Sequence, residues 1–141
     1  MTTPEELIRM AREARERAYT PYSGFAVGVA LLCRDGTVYQ GCNIENAAYG
    51  PSVCAERVAV FKAVYDGKRD FAAIAIVGGR AGEAVTGLCP PCGVCRQVLR
   101  EFCDPDLTIY LAGEDDRYEV HTLGELLPVS FSNADMATVR P

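Results

Sequence analysis

The pattern of apolar and polar positions predicts an amphipathic helix near the start of the chain. Thr3 and Pro4 are typical of an N-cap and a first helical position, and Glu6 completes a capping box. Apolar residues then recur at helical spacing, with arginine and glutamate between them. These apolar positions are Leu7, Ile8, Ala11, Ala14 and Ala18. The helix is expected to end before Thr20-Pro21, because the residue before a proline disfavours helical backbone.

The next part of the chain has the pattern of a β-hairpin. Residues 25–32 are almost continuously apolar, Asp35-Gly36 is a turn signal, and residues 37–42 form the return strand. Residues 43–51 are polar and rich in turn formers. This connection is too long for a tight turn, and loops of that kind often carry function.

The second half of the chain alternates between helical and strand patterns. The predicted elements are a helix at 55–64, a strand at 71–77, a loop at 78–82, a helix at 94–102, strands at 107–111 and 118–121, and a short helix at 123–127. Strand-helix-strand units around a hairpin favour the α/β class. We expect a three-layer α/β/α arrangement with a central mixed sheet of about five strands. The length of 141 residues fits a single domain spanning 1–141.

Composition and charge restrict the partners. The chain has 14 basic and 19 acidic residues, for a formal net charge of -5, and no dense basic cluster. This balance disfavours nucleic acid and favours a small neutral substrate. No apolar run approaches the roughly 20 residues that cross a bilayer, and the acidic N-terminus does not resemble a signal peptide. We therefore expect a cytoplasmic protein that does not bind membranes.

The seven cysteines are the main chemical signal. An odd number excludes a complete set of intramolecular disulfides, and in a reducing compartment cysteines serve as metal ligands, catalytic groups or small core residues. Cys33, Cys42 and Cys103 are interpreted as packing residues. The remaining four are Cys54, Cys89, Cys92 and Cys95.

Three of these four cysteines predict a zinc site. Cys92-x-x-Cys95 is a chelating spacing at the start of a helix, and Cys54 also precedes a helix. The helix dipoles would favour thiolates at such positions. A redox pair of the thioredoxin type would use the same spacing. If Cys89 also bound the metal, the site would be closed and structural, but the two prolines between Cys89 and Cys92 favour Cys89 as an unliganded neighbour.

Glu56, Arg57 and Arg96 are the charged residues next to the predicted ligands. Two positions after Cys54, Glu56 could take a proton from activated water and pass it on, although a glutamate in a first helical turn can also serve only the helix dipole. Arg57 and Arg96 could return positive charge to the sulfurs, unless they are solvated surface groups. His121, the single histidine, is expected at a partly buried or surface position without a partner, which argues against a histidine-based hydrolase.

Several motifs, in the same order along nearly the whole chain, resemble the small homotetrameric cytidine deaminases. The matching segments are Pro21-Tyr22-Ser23-Gly24-Phe25-x-Val27-Gly28, Gly41-Cys42-Asn43-Ile44-Glu45-Asn46-Ala47-x-Tyr49, Cys54-Ala55-Glu56-Arg57, Pro91-Cys92-Gly93-x-Cys95-Arg96-Gln97 and Leu126-Leu127-Pro128-x-x-Phe131. The zinc part is the signature of zinc deaminases in general. The additional motifs make the resemblance much more specific.

The resemblance implies an activity and a cofactor. It implies hydrolysis of cytidine and 2'-deoxycytidine to the uridine forms, with release of ammonia, as a step of pyrimidine salvage. Zinc, one ion per subunit, would be held by Cys54, Cys92 and Cys95 and would activate the water that attacks C4. Glu56 would carry protons to N3 and then to the leaving amine.

The resemblance also implies the substrate contacts. Asn43 and Glu45 match the ribose-binding pair, Phe25 an aromatic near the base, and Ala55 a backbone contact to the base. Ala47, Tyr49 and Phe131 match residues that reach a site from neighbouring subunits of a homotetramer. Without the resemblance, they would be interpreted as packing residues of the loop and of the C-terminal segment. Two alternatives remain: a related aminohydrolase of another nucleoside such as blasticidin S, and a non-catalytic four-cysteine zinc domain. Cys89 and Gly50-Pro51-Ser52 depart from the family pattern.

Overall fold

The computed structural model describes residues 2–136. The elements in chain order are α1 (Pro4–Arg15), β1 (Phe25–Cys33), β2 (Val38–Cys42), α2 (Ala55–Tyr65), β3 (Phe71–Arg80), α3 (Gly93–Phe102), β4 (Thr108–Ala112), β5 (Tyr118–Thr122), α4 (Leu123–Leu126) and α5 (Asn133–Met136). None of the helices in the described part of the chain has the length and apolar character needed to cross a membrane.

The strands form one mixed sheet in the order β2-β1-β3-β4-β5. β1 pairs antiparallel with both β2 and β3, β3 pairs parallel with β4, and β4 pairs antiparallel with β5. The parallel pair is connected through α3, as a crossover between parallel strands requires. The predicted mixed sheet of the α/β class is confirmed.

Helices cover both faces of this sheet. On one face, Leu7 and Ala11 of α1 pack against Ala30 and its neighbours in the central strands. On the other face, Val60 of α2 and Leu99 of α3 pack against the strand residues whose side chains point away from α1. Side chains of consecutive strand residues point to opposite faces, so a nearly continuous apolar strand such as β1 supplies both cores.

Two boundaries differ from the sequence prediction by three residues or more. α1 ends at Arg15, and residues 16–17 form a turn, because Tyr19 leaves the helix to pair with Ile44. β3 continues to Arg80, whereas the sequence predicted a loop from residue 78. The glycines there extend the strand because the start of β1 offers a pairing partner: Val27 lies opposite Gly78, and Phe25 lies opposite Arg80. The short helix α5 was not predicted.

Candidate active site

Three sulfur atoms meet at the N-termini of α2 and α3. Cys54 is the N-cap of α2 and Cys92 is the N-cap of α3, and neither side chain makes a capping hydrogen bond. The Sγ atoms of Cys54 and Cys92 are 3.8 Å apart, and those of Cys92 and Cys95 are 3.4 Å apart. All three sulfurs lie within 4.8 Å of one another. The predicted ligand set is therefore brought together in space.

The donor set and its spacing fit a zinc ion. Sulfurs at about 2.3 Å from a tetrahedral zinc ion are about 3.8 Å from each other, close to the distances in this cluster. A hydrogen bond with Cys95 lowers the pKa of the Cys54 thiol to about 5, and Arg57 contributes to the same shift. The bond to Cys54, followed by burial, raises the pKa of Cys95. Three protein sulfurs leave a fourth coordination position for water, as in catalytic zinc sites.

Glu56 lies beside this cluster in the first turn of α2. Its side chain is only 4% exposed, which is rare for a carboxyl group without a function or an ionic partner. Burial is the main reason why the pKa of Glu56 is raised to about 7, and the negative charge of Cys54 acts in the same direction. A carboxyl group with a pKa near neutrality can both accept and release a proton under physiological conditions.

The two arginines next to the ligands have different partners. The Arg57 guanidinium donates to the sulfur of Cys54 at 3.4 Å, and the pKa of Arg57 is raised by this bond. Arg96 instead donates to the carbonyls of Pro91 at 2.7 Å and Leu126 at 2.5 Å. Among the described residues, the hydrogen bonds of Arg96 therefore go to backbone carbonyls and not to a sulfur. These two hydrogen bonds connect the residue before Cys92 to the segment at Leu126.

Cys89 lies outside the sulfur cluster. Among residues 2–136, the group of side chains that could share a metal ion consists of Cys54, Cys92 and Cys95. Cys89 packs against the core on that side of the sheet, and burial raises the pKa of its thiol to about 11. A closed four-cysteine site is therefore not formed in this structure.

A two-residue bridge joins the sulfur cluster to the polar loop after β2. Ile44 and Val53 exchange two backbone hydrogen bonds, each 3.0 Å long. Ile44 lies between Asn43 and Glu45, and Val53 directly precedes Cys54. The predicted sugar-binding pair and the first predicted ligand are thus fixed to one another through the backbone.

The side chains of Asn43 and Glu45 are held by the start of β1 and the turn before it. Asn43 donates from Nδ2 to the carbonyl of Phe25 at 2.9 Å and accepts at Oδ1 from the Val27 amide at 2.8 Å. Glu45 accepts from the Ser23 hydroxyl and from the amides of Tyr22 and Ser23. The Ser23 hydroxyl bond lowers the pKa of Glu45, so this carboxyl is ionised at neutral pH.

The other predicted substrate contacts occupy different environments. Phe25 is 42% exposed and adjoins this loop, and Ala55 is fully buried as the first residue of α2. The backbone amide of Ala55 belongs to the first helical turn, where amides lack an intrahelical acceptor. Ala47 is exposed, Tyr49 is 71% exposed and Phe131 is 60% exposed. Within residues 2–136 both rings are largely exposed, and the Tyr49 ring contacts that of Tyr22 edge to face, with the ring centroids 5.9 Å apart.

Some residues around the site were not assigned a role from the sequence. Tyr22 and Ser23 orient Glu45, and Gln97 donates to the Phe131 carbonyl at 2.9 Å, which ties the C-terminal segment to α3. All three lie inside the matched motifs, and that was their only signal. His121 was expected to lack a partner, but its ring contacts Glu119 at 2.8 Å and Glu125 at 3.4 Å.

Comparison with known proteins gives a consistent result. The profile of the family described as "Cytidine and deoxycytidylate deaminase zinc-binding region" matches residues 1–111. The chain is 50% identical over 133 residues to a cytidine deaminase of Sporosarcina psychrophila, covering 94% of each chain, and 40% identical over 130 residues to one of Mycobacterium tuberculosis, covering 92% of this chain and 90% of that one.

A crystal structure of a cytidine deaminase from Burkholderia pseudomallei is similar to this fold. It has a TM-score of 0.84 and 47% sequence identity, and the match covers 92% of this chain and 99% of that chain. The cluster of three cysteines agrees with the zinc-binding region for which the family is described. The chain belongs to the cytidine and deoxycytidylate deaminase family.

Proposed function

We propose that the chain is a zinc-dependent hydrolase that deaminates cytidine and 2'-deoxycytidine to uridine and 2'-deoxyuridine, with release of ammonia. The observation that carries the proposal is the buried Glu56 carboxyl beside three converging cysteine sulfurs at two helix N-termini. The relatives named above are cytidine deaminases, and their similarity extends over nearly the whole chain. In this proposal residues 1–141 act as a single catalytic domain.

Cys54, Cys92 and Cys95 would hold the zinc ion, which when bound makes water nucleophilic at neutral pH. Glu56 accepts a proton from the attacking water and delivers it to N3 of the pyrimidine. It transfers the second proton of the water to the exocyclic amine, which leaves as ammonia. Its pKa of about 7 suits both directions of transfer. Arg57 offsets the negative charge of the sulfurs through its bond to Cys54.

Asn43 and Glu45 would bind the sugar. Because Asn43 already uses Oδ1 and one N–H on β1, one N–H donor and one acceptor lone pair remain in a fixed orientation for a hydroxyl group. Glu45 is held ionised by Ser23 and can accept from sugar hydroxyls. A carboxylate at this position repels a phosphate, so free nucleosides are favoured over nucleotides. Phe25 and the Ala55 amide would contact the base.

The active enzyme would be a homotetramer with shared sites. Tyr49 and Phe131 are large rings that are 71% and 60% exposed in the single chain, so both are accessible for contact with a neighbouring subunit. With Ala47 they would complete the site of a neighbouring subunit, as the family resemblance implies. A cytoplasmic role in pyrimidine salvage, without nucleic-acid partners, is supported by the seven unpaired cysteines and the net charge of -5.

An absorbance assay with a substrate panel tests the proposal. Cytidine, 2'-deoxycytidine, cytidine monophosphate and blasticidin S are each incubated with the zinc-loaded protein, and the loss of the cytosine absorbance band is followed. We expect turnover of the first two compounds and little turnover of the monophosphate. Exclusive turnover of blasticidin S would replace the proposed substrate, and a flat trace for all four with zinc present would contradict the proposed activity.

A further inference from the structure

Arg15, at the last position of α1, is a buried cation whose main partners are backbone carbonyls. It is 8% exposed, and its guanidinium donates to the carbonyls of Ala26 at 3.2 Å, Arg80 at 2.5 Å and Glu83 at 3.0 Å. Its closest carboxylate, Glu16, is 3.9 Å away and largely exposed. A buried charge is costly unless its hydrogen bonds are satisfied, so the three carbonyls define what this arginine does in the fold.

Gly28 allows the end of α1 to approach the sheet closely, because a Cβ added there would lie 2.2 Å from the backbone nitrogen of Arg15. A Cβ added to Gly79 would lie 3.6 Å from the Nη2 atom of Arg15, which is an ordinary van der Waals distance. The last turn of α1 therefore rests on the part of the sheet where β1 begins and β3 ends. The guanidinium lies across that end of the β1–β3 ladder.

The same end of the ladder carries Phe25, one of the proposed base contacts. Phe25 pairs with Arg80 across the two strands. Of the carbonyls bonded to Arg15, one belongs to Ala26, the residue after Phe25, and one belongs to Arg80, its partner in the pair. On its other side, Phe25 is fixed by Asn43, which bonds to the Phe25 carbonyl. The ring itself is 42% exposed and is not fixed by burial, so its position depends on how firmly this backbone is held.

Arg15 also fixes the wall opposite Phe25. The segment after β3 lines, together with Phe25, a cavity of about 370 Å³ that includes Arg80, Glu83 and Leu88. Of the three carbonyls bonded to Arg15, that of Arg80 belongs to the last residue of β3 and that of Glu83 belongs to this segment. One guanidinium therefore connects both walls of the cavity next to the proposed nucleoside site.

We propose that Arg15 is a positioning residue for nucleoside binding, which acts by fixing the backbone of Phe25 and of residues 80–83; this inference rests on the proposed deaminase function. Among residues 2–136, the hydrogen bonds of Arg15 go to β1, β3 and the segment after β3, and not to α2, α3 or their N-caps, which carry the three cysteines and Glu56. Its loss therefore weakens substrate binding more than it affects the chemical step.

Steady-state kinetics of Arg15→Lys and Arg15→Met test this assignment. We expect KM for cytidine to rise about tenfold, with kcat per bound zinc within about twofold of the wild type, because the walls move while the catalytic groups stay in place. Arg12→Met is the matched control. Arg12 lies one turn earlier on α1 and donates to the carbonyls of Gly113 and Asp115, which follow β4, and not to the carbonyls of residues 26, 80 and 83 that Arg15 binds. Equal effects of the Arg12 and Arg15 substitutions, or a loss of kcat at unchanged KM, would reduce Arg15 to a stabilising residue and overturn the proposal.

A double-mutant cycle tests the route through Phe25. In a Phe25→Leu background, Arg15→Lys should raise KM by clearly less than tenfold, because only its effect through residues 80–83 remains. A full tenfold rise in that background contradicts the proposed route. If Arg15→Met does not fold, the conservative substitution Arg15→Lys carries the test by itself.

Hydrogen exchange provides a readout that does not depend on activity. In Arg15→Lys, the amides of residues 25–27 and 78–83 should exchange about tenfold faster, while those of α3 keep their rates. Unchanged exchange in the first two segments overturns the inference even if the wild type is inactive. Conversely, an active wild type whose Arg15 variants keep their KM contradicts this inference alone, and a wild type that does not deaminate cytidine contradicts the proposed function.

Discussion

Gly78 and Cys89 are in such close contact that a Cβ added to the glycine would lie 2.6 Å from the Cys89 sulfur and 2.7 Å from its Cβ. The Phe25 ring lies 3.2 Å from the same point. Cys89 thus occupies the space that a side chain on β3 would need. The fourth cysteine of the region therefore packs against β3 and lies outside the group formed by the other three.

The contact predicts that Gly78→Ala destabilises the fold by about 1–3 kcal/mol, because the new methyl group overlaps with Cys89 in a packed core. Urea denaturation followed by circular dichroism measures the change. Gly87→Ala is the control, since a Cβ there would have no neighbour within 4 Å. Equal stability of the two variants would show that the strand can move away from Cys89 at no cost.

A second substitution at Cys89 identifies the overlapping atoms. Cys89→Gly removes both close atoms and should recover most of the stability lost in Gly78→Ala. Cys89→Ala removes the sulfur but keeps the Cβ at 2.7 Å, so it should recover less. Equal recovery by both variants would assign the overlap to the sulfur alone.

Zinc content distinguishes Cys89 from the cluster. Cys89→Ser should retain one zinc ion per chain, because Cys89 lies outside the group of three sulfurs. Cys95→Ser, the matched control with the same change in a cluster residue, should lose zinc, since it removes one of three protein ligands. Metal analysis after dialysis measures both. Loss of zinc in Cys89→Ser would instead support a four-cysteine structural site.

His121 predicts a local pH dependence. Its bond to Glu119 raises its pKa above the ordinary value, and Glu125 adds to this shift. Because the pKa is higher in the folded state, the pair stabilises the fold at pH values below about 6.5, and this contribution is lost as the pH rises through the folded-state pKa.

The single histidine makes this pKa measurable by NMR titration of one imidazole resonance. The folded protein should titrate above about 6.5, and Glu119→Gln should lower the midpoint. Glu114→Gln changes a glutamate outside the group formed by His121, Glu119 and Glu125 and serves as the control. A midpoint that does not respond to Glu119→Gln would assign the shift to another group.

Much of the fold could be predicted because its elements have strong local signals. The apolar run of β1, the Asp35-Gly36 turn and the cysteines at two helix starts are all local patterns. The extension of β3 through Gly78 could not be predicted, since consecutive glycines are typical of a loop. They belong to the strand because the start of β1 lies opposite them in the sheet. Pairing partners far apart in the sequence decide such boundaries.

The candidate site shows the same division. The three cysteines and Glu56 are predictable because their spacing carries the chemistry. The partners of Arg96 and Arg15 are backbone carbonyls, and a carbonyl has no signature in the sequence. The partners of His121 were missed because Glu119 and Glu125 face it only once β5 and α4 are in place.

The central claim is that Glu56 moves the protons of a hydrolytic deamination at a three-cysteine zinc site. Glu56→Gln keeps the shape of the side chain but removes its ability to take up and release a proton. The decisive measurement is the cytidine turnover of this variant together with its zinc content, beside the wild type. We predict one zinc ion per chain in both proteins and a turnover reduced about 10²- to 10⁴-fold in the variant. Turnover close to that of the wild type, with zinc bound, would contradict the account.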